Sequence, residues 1–316
     1  MTTAILLAAG GLALLILGAE VLVRGAAALA SALGVPPVVV GLTVVSVGTS
    51  APELAIGIDS AINDAGPLAI GNIAGTNIVN LLLILGLSAA IASLAIAVPT
   101  IRRDLPIMAA IGILLLVLCW DGSLSRAEGA ILLVIAVGYT VLIAVQARRD
   151  PVAVQIAEAE APKPKGHAWV HLLLTLAGLA VIIVGADLLV RGSVDLSRAF
   201  GVSEAVIGLT VVAIGTSAPE LVTTMVSTFR GDRDIAIGNL IGSSTYNIGL
   251  VLGSSALVAP LAVTPELVHV DLPVMVGVML VCIPVFLTGR RMSRGEGIGF
   301  VLAYVVYLGL LIAFRT

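Results

Sequence analysis

GLTVVSVGTSAPEL, residues 41–54, returns as GLTVVAIGTSAPEL, residues 208–221, and this duplication decides the fold. Outward from it, residues 18–80 align without a gap to residues 185–247 at an offset of 167. Roughly half of the aligned positions are identical, far beyond what a shared apolar composition generates. GAEVLVRG from Gly18 matches GADLLVRG from Gly185, and AIGN from Ala69 matches AIGN from Ala236. The chain is built twice from one unit.

The material around the repeat is that of a membrane protein. Of the 316 residues, 59% are apolar and 11% charged, and the mean hydropathy is +1.17. A soluble domain carries about a quarter charged residues, and one bilayer crossing takes about 20 apolar residues. Apolar runs between polar or Gly/Pro breaks predict helices at 3–30, 36–62, 68–95, 105–120, 127–147, 169–198, 203–229, 235–259, 270–289 and 296–314. The expected fold is an all-α polytopic membrane protein with ten transmembrane helices. Residues 1–147 form the first five-helix half, 148–168 a cytoplasmic linker and 169–316 the second half. Met1 to Gly18 lacks the basic leader of a signal peptide and reads as the start of the first membrane helix.

Five helices per half is an odd number, so the second half enters the bilayer from the opposite side and the repeat is inverted. Inverted repeats with broken polar helices near the midplane characterise secondary transporters. With the N-terminus outside, the cytoplasmic connections carry Arg102, Arg103, Arg148, Arg149, Lys163, Lys165, Arg230, Arg233, Arg290, Arg291 and Arg294, whereas the other side carries Arg126, Arg198 and Arg315. That bias places both termini outside the cytoplasm. The short connections point to a prokaryotic inner membrane. A net charge of −3 offers no basic field for nucleic acid. Cys119 and Cys282 stand in apolar runs without partners at metal-ligand spacing and read as small buried hydrophobes.

Polar residues inside such runs carry the chemistry. Ser46, Thr49, Ser50 and Glu53 fall at i, i+3, i+4 and i+7, on one helical face, and Ala213, Thr216, Ser217 and Glu220 repeat it. A carboxylate in hydrocarbon costs at least about 2.5 kcal/mol, so each glutamate should face the bundle interior and a cation or partner. Pro52 and Pro219 remove the donors for the carbonyls of Gly48 and Gly215, where the helix is expected to break. Asn72, Thr76 and Asn80, echoed by Asn239, Ser243 and Asn247, supply neutral oxygens at i, i+4 and i+8. Carboxylate, hydroxyl and carbonyl oxygens suit hard cations such as Ca2+ or Na+ rather than zinc or copper. Gly71 and Gly75, with Gly238 and Gly242, form small-xxx-small patterns that permit close helix approach.

The remaining charged groups read as structural. Glu20 with Arg24, and Asp187 with Arg191, stand four apart and can neutralise each other. Asp59, opposite Val226 in the repeat, breaks the symmetry and is placed at an aqueous helix end. His167, His171 and His269 are expected at solvated loop or helix ends. An intramembrane hydrolase using Ser50 or Ser217 lacks a histidine or lysine in the core to activate it, so no enzyme and no cofactor is indicated.

At the paired GTSAPE motifs the sequence resembles the cation/calcium exchanger superfamily, and its sodium/calcium branch more than its proton/calcium branch. The resemblance implies an antiporter in which Glu53 and Glu220, with the carbonyls of Thr49 and Thr216, hold Ca2+ at the midplane. It also implies flanking Na+ sites drawing on the carbonyls of Ser46 and Ala213 and the hydroxyls of Ser50, Ser217, Thr76 and Ser243. The helices 3–30 and 169–198 would slide to expose the site alternately. Relatives often carry an acid at one of the positions matching Asn80 and Asn247, whereas here both are Asn. Proton/calcium exchange on the same fold, with the glutamates themselves carrying protons, is the alternative.

Overall fold

The computed structural model describes residues 1–147, 167–200 and 213–315. The helices are α1 (Thr2–Leu33), α2 (Pro37–Thr49), α3 (Ala51–Ile62), α4 (Gly66–Ile91), α5 (Thr100–Asp121), α6 (Arg126–Ala147), α7 (Ala168–Ala199), α8 (Ala213–Thr216), α9 (Ala218–Arg230), α10 (Arg233–Val258), α11 (Leu267–Arg290) and α12 (Arg294–Arg315). Each of the ten expected segments holds helix. Among the described residues, eight helices are long and apolar enough to cross a membrane, and the broken pair α2 and α3 adds a ninth. The tenth segment holds α8 and α9; its first ten residues, 203–212, lie outside the described residues, as does all of the predicted linker before His167.

Local chemistry sets the ends. α1 stops at Gly34, whose φ of 65° is left-handed and whose N–H reaches the carbonyls of Ala30 and Ser31, with Pro36 following. α6 and α12 begin with matching capping boxes: Glu128 Oε2 accepts the Ser125 N–H at 2.7 Å, and Glu296 Oε2 accepts the Ser293 N–H at 2.7 Å. π-helical turns occupy Val79–Ile84 in α4 and Asn247–Leu252 in α10.

The chain divides into two compact units. The first contains Met1–Pro52 and Thr140–Asn239. Its spine is the antiparallel pair α1 and α7, joined along a glycine seam. A Cβ on Gly178 would stand 2.5 Å from Leu22 N and 2.8 Å from Gly18 O, and one on Gly185 2.7 Å from Leu15 N and 2.9 Å from Gly11 O. Glycine spacing of seven on both helices keeps backbone against backbone. His171, expected in solvent, is buried instead, because it lies on the same α7 stripe as Thr175, Gly178, Ile182 and Gly185. His167 and His269 are exposed, as is Asp59, which accepts a hydrogen bond from Asn63.

The second unit contains Glu53–Tyr139 and Leu240–Thr316. α4 packs on α11 and α12, and α5 on α11. Two antiparallel ladders that hydropathy does not reveal tie its connections: β1 (Leu94–Ala95) with β4 (Arg291–Met292), and β2 (Ser123–Leu124) with β3 (Leu261–Ala262). Asp104, wholly buried, is held by Arg103 at 2.6 and 3.0 Å and by the Tyr139 hydroxyl at 3.2 Å. Cys119 and Cys282 are free and buried.

Candidate ion-binding site

The two GTSAPE segments break as proline chemistry requires, but two residues beyond the expected point. α2 ends at Thr49, Ser50 leaves the helix with φ −78° and ψ 5°, and α3 resumes at Ala51 with a bend of 43°. The second copy breaks at Ser217, φ −85° and ψ 4°, before α9. Proline is excluded from a helix interior yet suits a first turn, so the new helix starts one residue ahead of Pro52 and Pro219 and the break moves off Gly48 and Gly215. Those two glycines instead admit the α7 side chains Leu179 and Val190.

The break places each glutamate in the first turn of the resumed helix. There the helix dipole favours a negative charge and offsets part of the burial cost. Glu53 and Glu220 are both fully buried.

In the first unit, Ser46 Oγ lies 2.6 Å from Gly41 O, 3.0 Å from Asn239 O and 3.2 Å from Gly238 O. That geometry needs α2 and the start of α10 backbone to backbone. Gly41 and Gly238 allow it: a Cβ on Gly238 would stand 2.7 Å from Val38 O. Among the described residues, the nearest atom to a Cβ on Gly71 is a Leu267 methyl at 3.5 Å, and there is none within 4 Å of one on Gly75; Gly208, the repeat counterpart of Gly41, lies outside them. Thr49 Oγ1 donates to Asn239 Oδ1 at 3.1 Å, and Asn239 Nδ2 donates to Thr224 Oγ1 at 3.4 Å. The Thr49 hydroxyl also neighbours the Glu220 carboxylate. Beyond that hydroxyl, neither Glu220 oxygen has a hydrogen-bond partner among the described residues. The hydroxyls of Ser50 and Ser217, nearly fully buried, are equally unsatisfied. Thr216 is half-buried on α8, which Ala213 opens.

The second unit holds Glu53, Thr76, Asn80, Ser243 and Asn247, all buried. Neither amide atom of Asn80 has a partner among the described residues. Asn247 Nδ2 donates to Asn77 Oδ1 at 3.0 Å, whereas its Oδ1 has no partner there. Asn80 lies within, and Asn247 opens, a π-helical turn, a feature frequent at functional sites. Buried oxygens that the protein itself does not satisfy are what a hard cation requires of its host.

Two contributors escaped sequence reading. Asn77 pairs with Asn247, and only its neighbour Thr76 stood out at i, i+4 spacing. Arg230 joins the Glu20–Arg24 pair, which closes at 2.5 Å, and reaches Asp232 at 3.6 Å. Asp187 and Arg191 pair at 2.9 Å, with no third charged partner among the described residues.

Broken apolar helices, each resuming on a buried glutamate and duplicated within one chain, define a polytopic ion transporter. The sodium/calcium exchanger protein family matches residues 3–145 and 170–313. The chain is 36% identical over 319 residues to the inner membrane protein YrbG of Escherichia coli, covering 98% of this chain and 97% of that one. It is 31% identical to the sodium/calcium exchanger MaX1 of Methanosarcina acetivorans, over 95% and 96% of the two chains. A structure of the sodium-calcium exchanger NCX_Mj, soaked with Na+ and Sr2+, superposes with a TM-score of 0.83 at 29% identity, covering 98% of each chain. The chain belongs to the sodium/calcium exchanger family and is an integral membrane cation transporter, not an enzyme.

Proposed function

We propose that this protein exchanges Ca2+ for Na+ across a prokaryotic inner membrane by alternating access, with both termini outside the cytoplasm. The observation that carries the reading is Glu220: a fully buried carboxylate in the first turn of a broken helix, with no partner among the described residues beyond the neighbouring Thr49 hydroxyl, and with the unsatisfied Ser217 hydroxyl three positions before it. Glu53 repeats that placement. The two glutamates and the Thr49 and Thr216 carbonyls take Ca2+. The carbonyls of Ser46 and Ala213, the hydroxyls of Ser50, Ser217, Thr76 and Ser243, and the amides of Asn80 and Asn247 complete flanking Na+ sites. The relatives named as sodium/calcium exchangers support this assignment.

For three Na+ per Ca2+, the number that the resemblance to sodium/calcium exchangers implies, charge arithmetic makes the exchange electrogenic. Glu53 and Glu220 contribute −2 when ionised, and Asn80 and Asn247 contribute nothing. One Ca2+ neutralises the site, whereas three Na+ make it +1, so a cycle moves one net positive charge opposite to Ca2+. One elementary charge across the membrane is worth about 2.3 kcal/mol per 100 mV, so an inside-negative potential drives Ca2+ out. Replacing either glutamate by Gln leaves a single carboxylate to offset divalent dehydration, and Ca2+ exchange in proteoliposomes should nearly vanish while the fold persists. Near-normal exchange by a folded Glu53→Gln or Glu220→Gln protein overturns the assignment.

A further inference from the structure

The second unit contains a buried amide relay that one half of the repeat has and the other lacks. Asn77 is fully buried on α4; its Nδ2 donates to Ser244 O at 3.3 Å and also contacts Met275 Sδ at 3.5 Å. A backbone carbonyl only accepts, so the amide nitrogen of Asn77 must face Ser244 and its oxygen must face Asn247. That oxygen accepts from Asn247 Nδ2 at 3.0 Å, which turns the Asn247 Oδ1 the other way, buried and without a partner among the described residues. The orientation of Asn247 is thus dictated two bonds away by a main-chain group.

At the offset of 167, Asn77 corresponds to Ser244 and Asn247 to Asn80. The mirror relay would need the Ser244 side chain to hold Asn80. Serine is too short for that part: the Ser244 hydroxyl and both amide atoms of Asn80 are without partners among the described residues. One amide of the pair is therefore fixed with its oxygen presented, and its twin is not.

We infer that Asn77 is a positioning residue for ion binding, holding Asn247 so that its side-chain oxygen, not its N–H group, is presented to a transported cation. The inference rests on the reading of Asn247 as a cation ligand. An inverted Asn247 amide would turn a hydrogen-bond donor toward the ion, so the binding-competent fraction falls when the relay is cut. Apparent affinity falls in proportion to that fraction, and a competent fraction of one-tenth to one-third weakens it by about three- to tenfold.

The test uses the full chain in proteoliposomes, with apparent KM for Ca2+ and for Na+, and the maximal rate, measured for Asn247→Ala, Asn77→Leu, Asn77→Asp and the double variant Asn77→Leu/Asn247→Ala. The Asn247→Ala protein identifies the cation whose KM depends on that amide. Asn77→Leu should raise the KM of the same cation by about three- to tenfold with the maximal rate within about twofold. Asn77→Asp retains an oxygen for the Asn247 N–H and should bind no more than about twofold more weakly than wild type. The double variant should be no weaker than Asn247→Ala, since Asn77 acts only through Asn247. If Asn247→Ala weakens a cation but Asn77→Leu does not, or their effects add, the relay is refuted and the ion site stands. An unchanged KM in Asn247→Ala removes the ligand reading and the relay with it. Where the leucine variant does not fold, Asn77→Ala takes its place with the same expected outcomes.

Discussion

Replacing Gly178 by Ala should separate the two longest helices of the chain. A Cβ there would stand 2.5 Å from Leu22 N, 2.8 Å from Gly18 O and 2.8 Å from Leu22 Cα, all backbone atoms of α1 that cannot rotate away. Ordinary van der Waals contact needs about 3.4–4 Å, so the helices must part by roughly 1 Å at this level. In hydrocarbon the association of helices depends on such close packing rather than on a hydrophobic drive, and overpacking a tight contact costs about 1–3 kcal/mol. Taking about 2–4 °C per kcal/mol, as for domains of a couple of hundred residues, the apparent melting temperature should drop by about 2–12 °C. The assay is thermal unfolding of purified protein in detergent, followed by the size-exclusion peak of the folded species. Gly10→Ala is the internal control, because among the described residues a Cβ at Gly10 meets nothing within 4 Å, and there the better helix propensity of Ala makes the change neutral or slightly stabilising. Identical melting of Gly178→Ala and Gly10→Ala would show that the seam does not hold the pair together.

Three other substitutions probe the proposed ion site and its charged border. Ser50→Ala and Ser217→Ala should each weaken Na+ more than Ca2+, since a hydroxyl completes the shell of a monovalent ion while the divalent one depends first on the glutamates; equal loss for both ions in both variants contradicts separate Na+ sites. Asp232, in the connection between α9 and α10, has its pKa raised because burial outweighs the pull of Arg230. A carboxyl with a raised folded pKa holds its proton more tightly folded than unfolded, so stability falls as pH rises from the ordinary carboxylate value through the raised one. Asp232→Asn should therefore melt at or above the wild-type temperature at neutral pH and lose that margin below the ordinary carboxylate range; a variant markedly less stable at pH 7 argues that the Arg230 pairing dominates.

Much of this architecture is legible in the residues because the bilayer imposes a single simple rule: apolar length makes a helix. The duplicated GTSAPE segments announce both the break and the buried acids, since proline and glutamate in hydrocarbon need a reason. The exact position of the break is less visible, because it depends on proline's comfort in a first turn and not on the carbonyl it orphans. His171 looked solvated from its place near a helix end and is buried because α1 runs alongside α7 for its whole length. Gly11, Gly18 and Gly25, like Gly178, Gly185 and Gly192, repeat every seven residues, but that they face one another is a fact of pairing that no single segment holds. Asp104 and Asp271 stand at the same offset as the motifs and carry DLP in both halves, so extending the alignment past Asn80 would have marked Asp104 as a buried group before its Arg103 and Tyr139 partners were known. The Asn77 relay needs hydrogen-bond direction, which spacing does not encode.

The central claim, that a sodium gradient drives calcium through this chain, is tested most directly by Ca2+ uptake into proteoliposomes under two gradients applied separately. Vesicles loaded with Na+ and diluted into Na+-free medium at equal pH should accumulate Ca2+, and an imposed positive interior potential should speed them, while a pH gradient without Na+ should produce no uptake. Uptake driven by the pH gradient and indifferent to Na+ would contradict the account and assign the same fold and the same two glutamates to proton/calcium exchange.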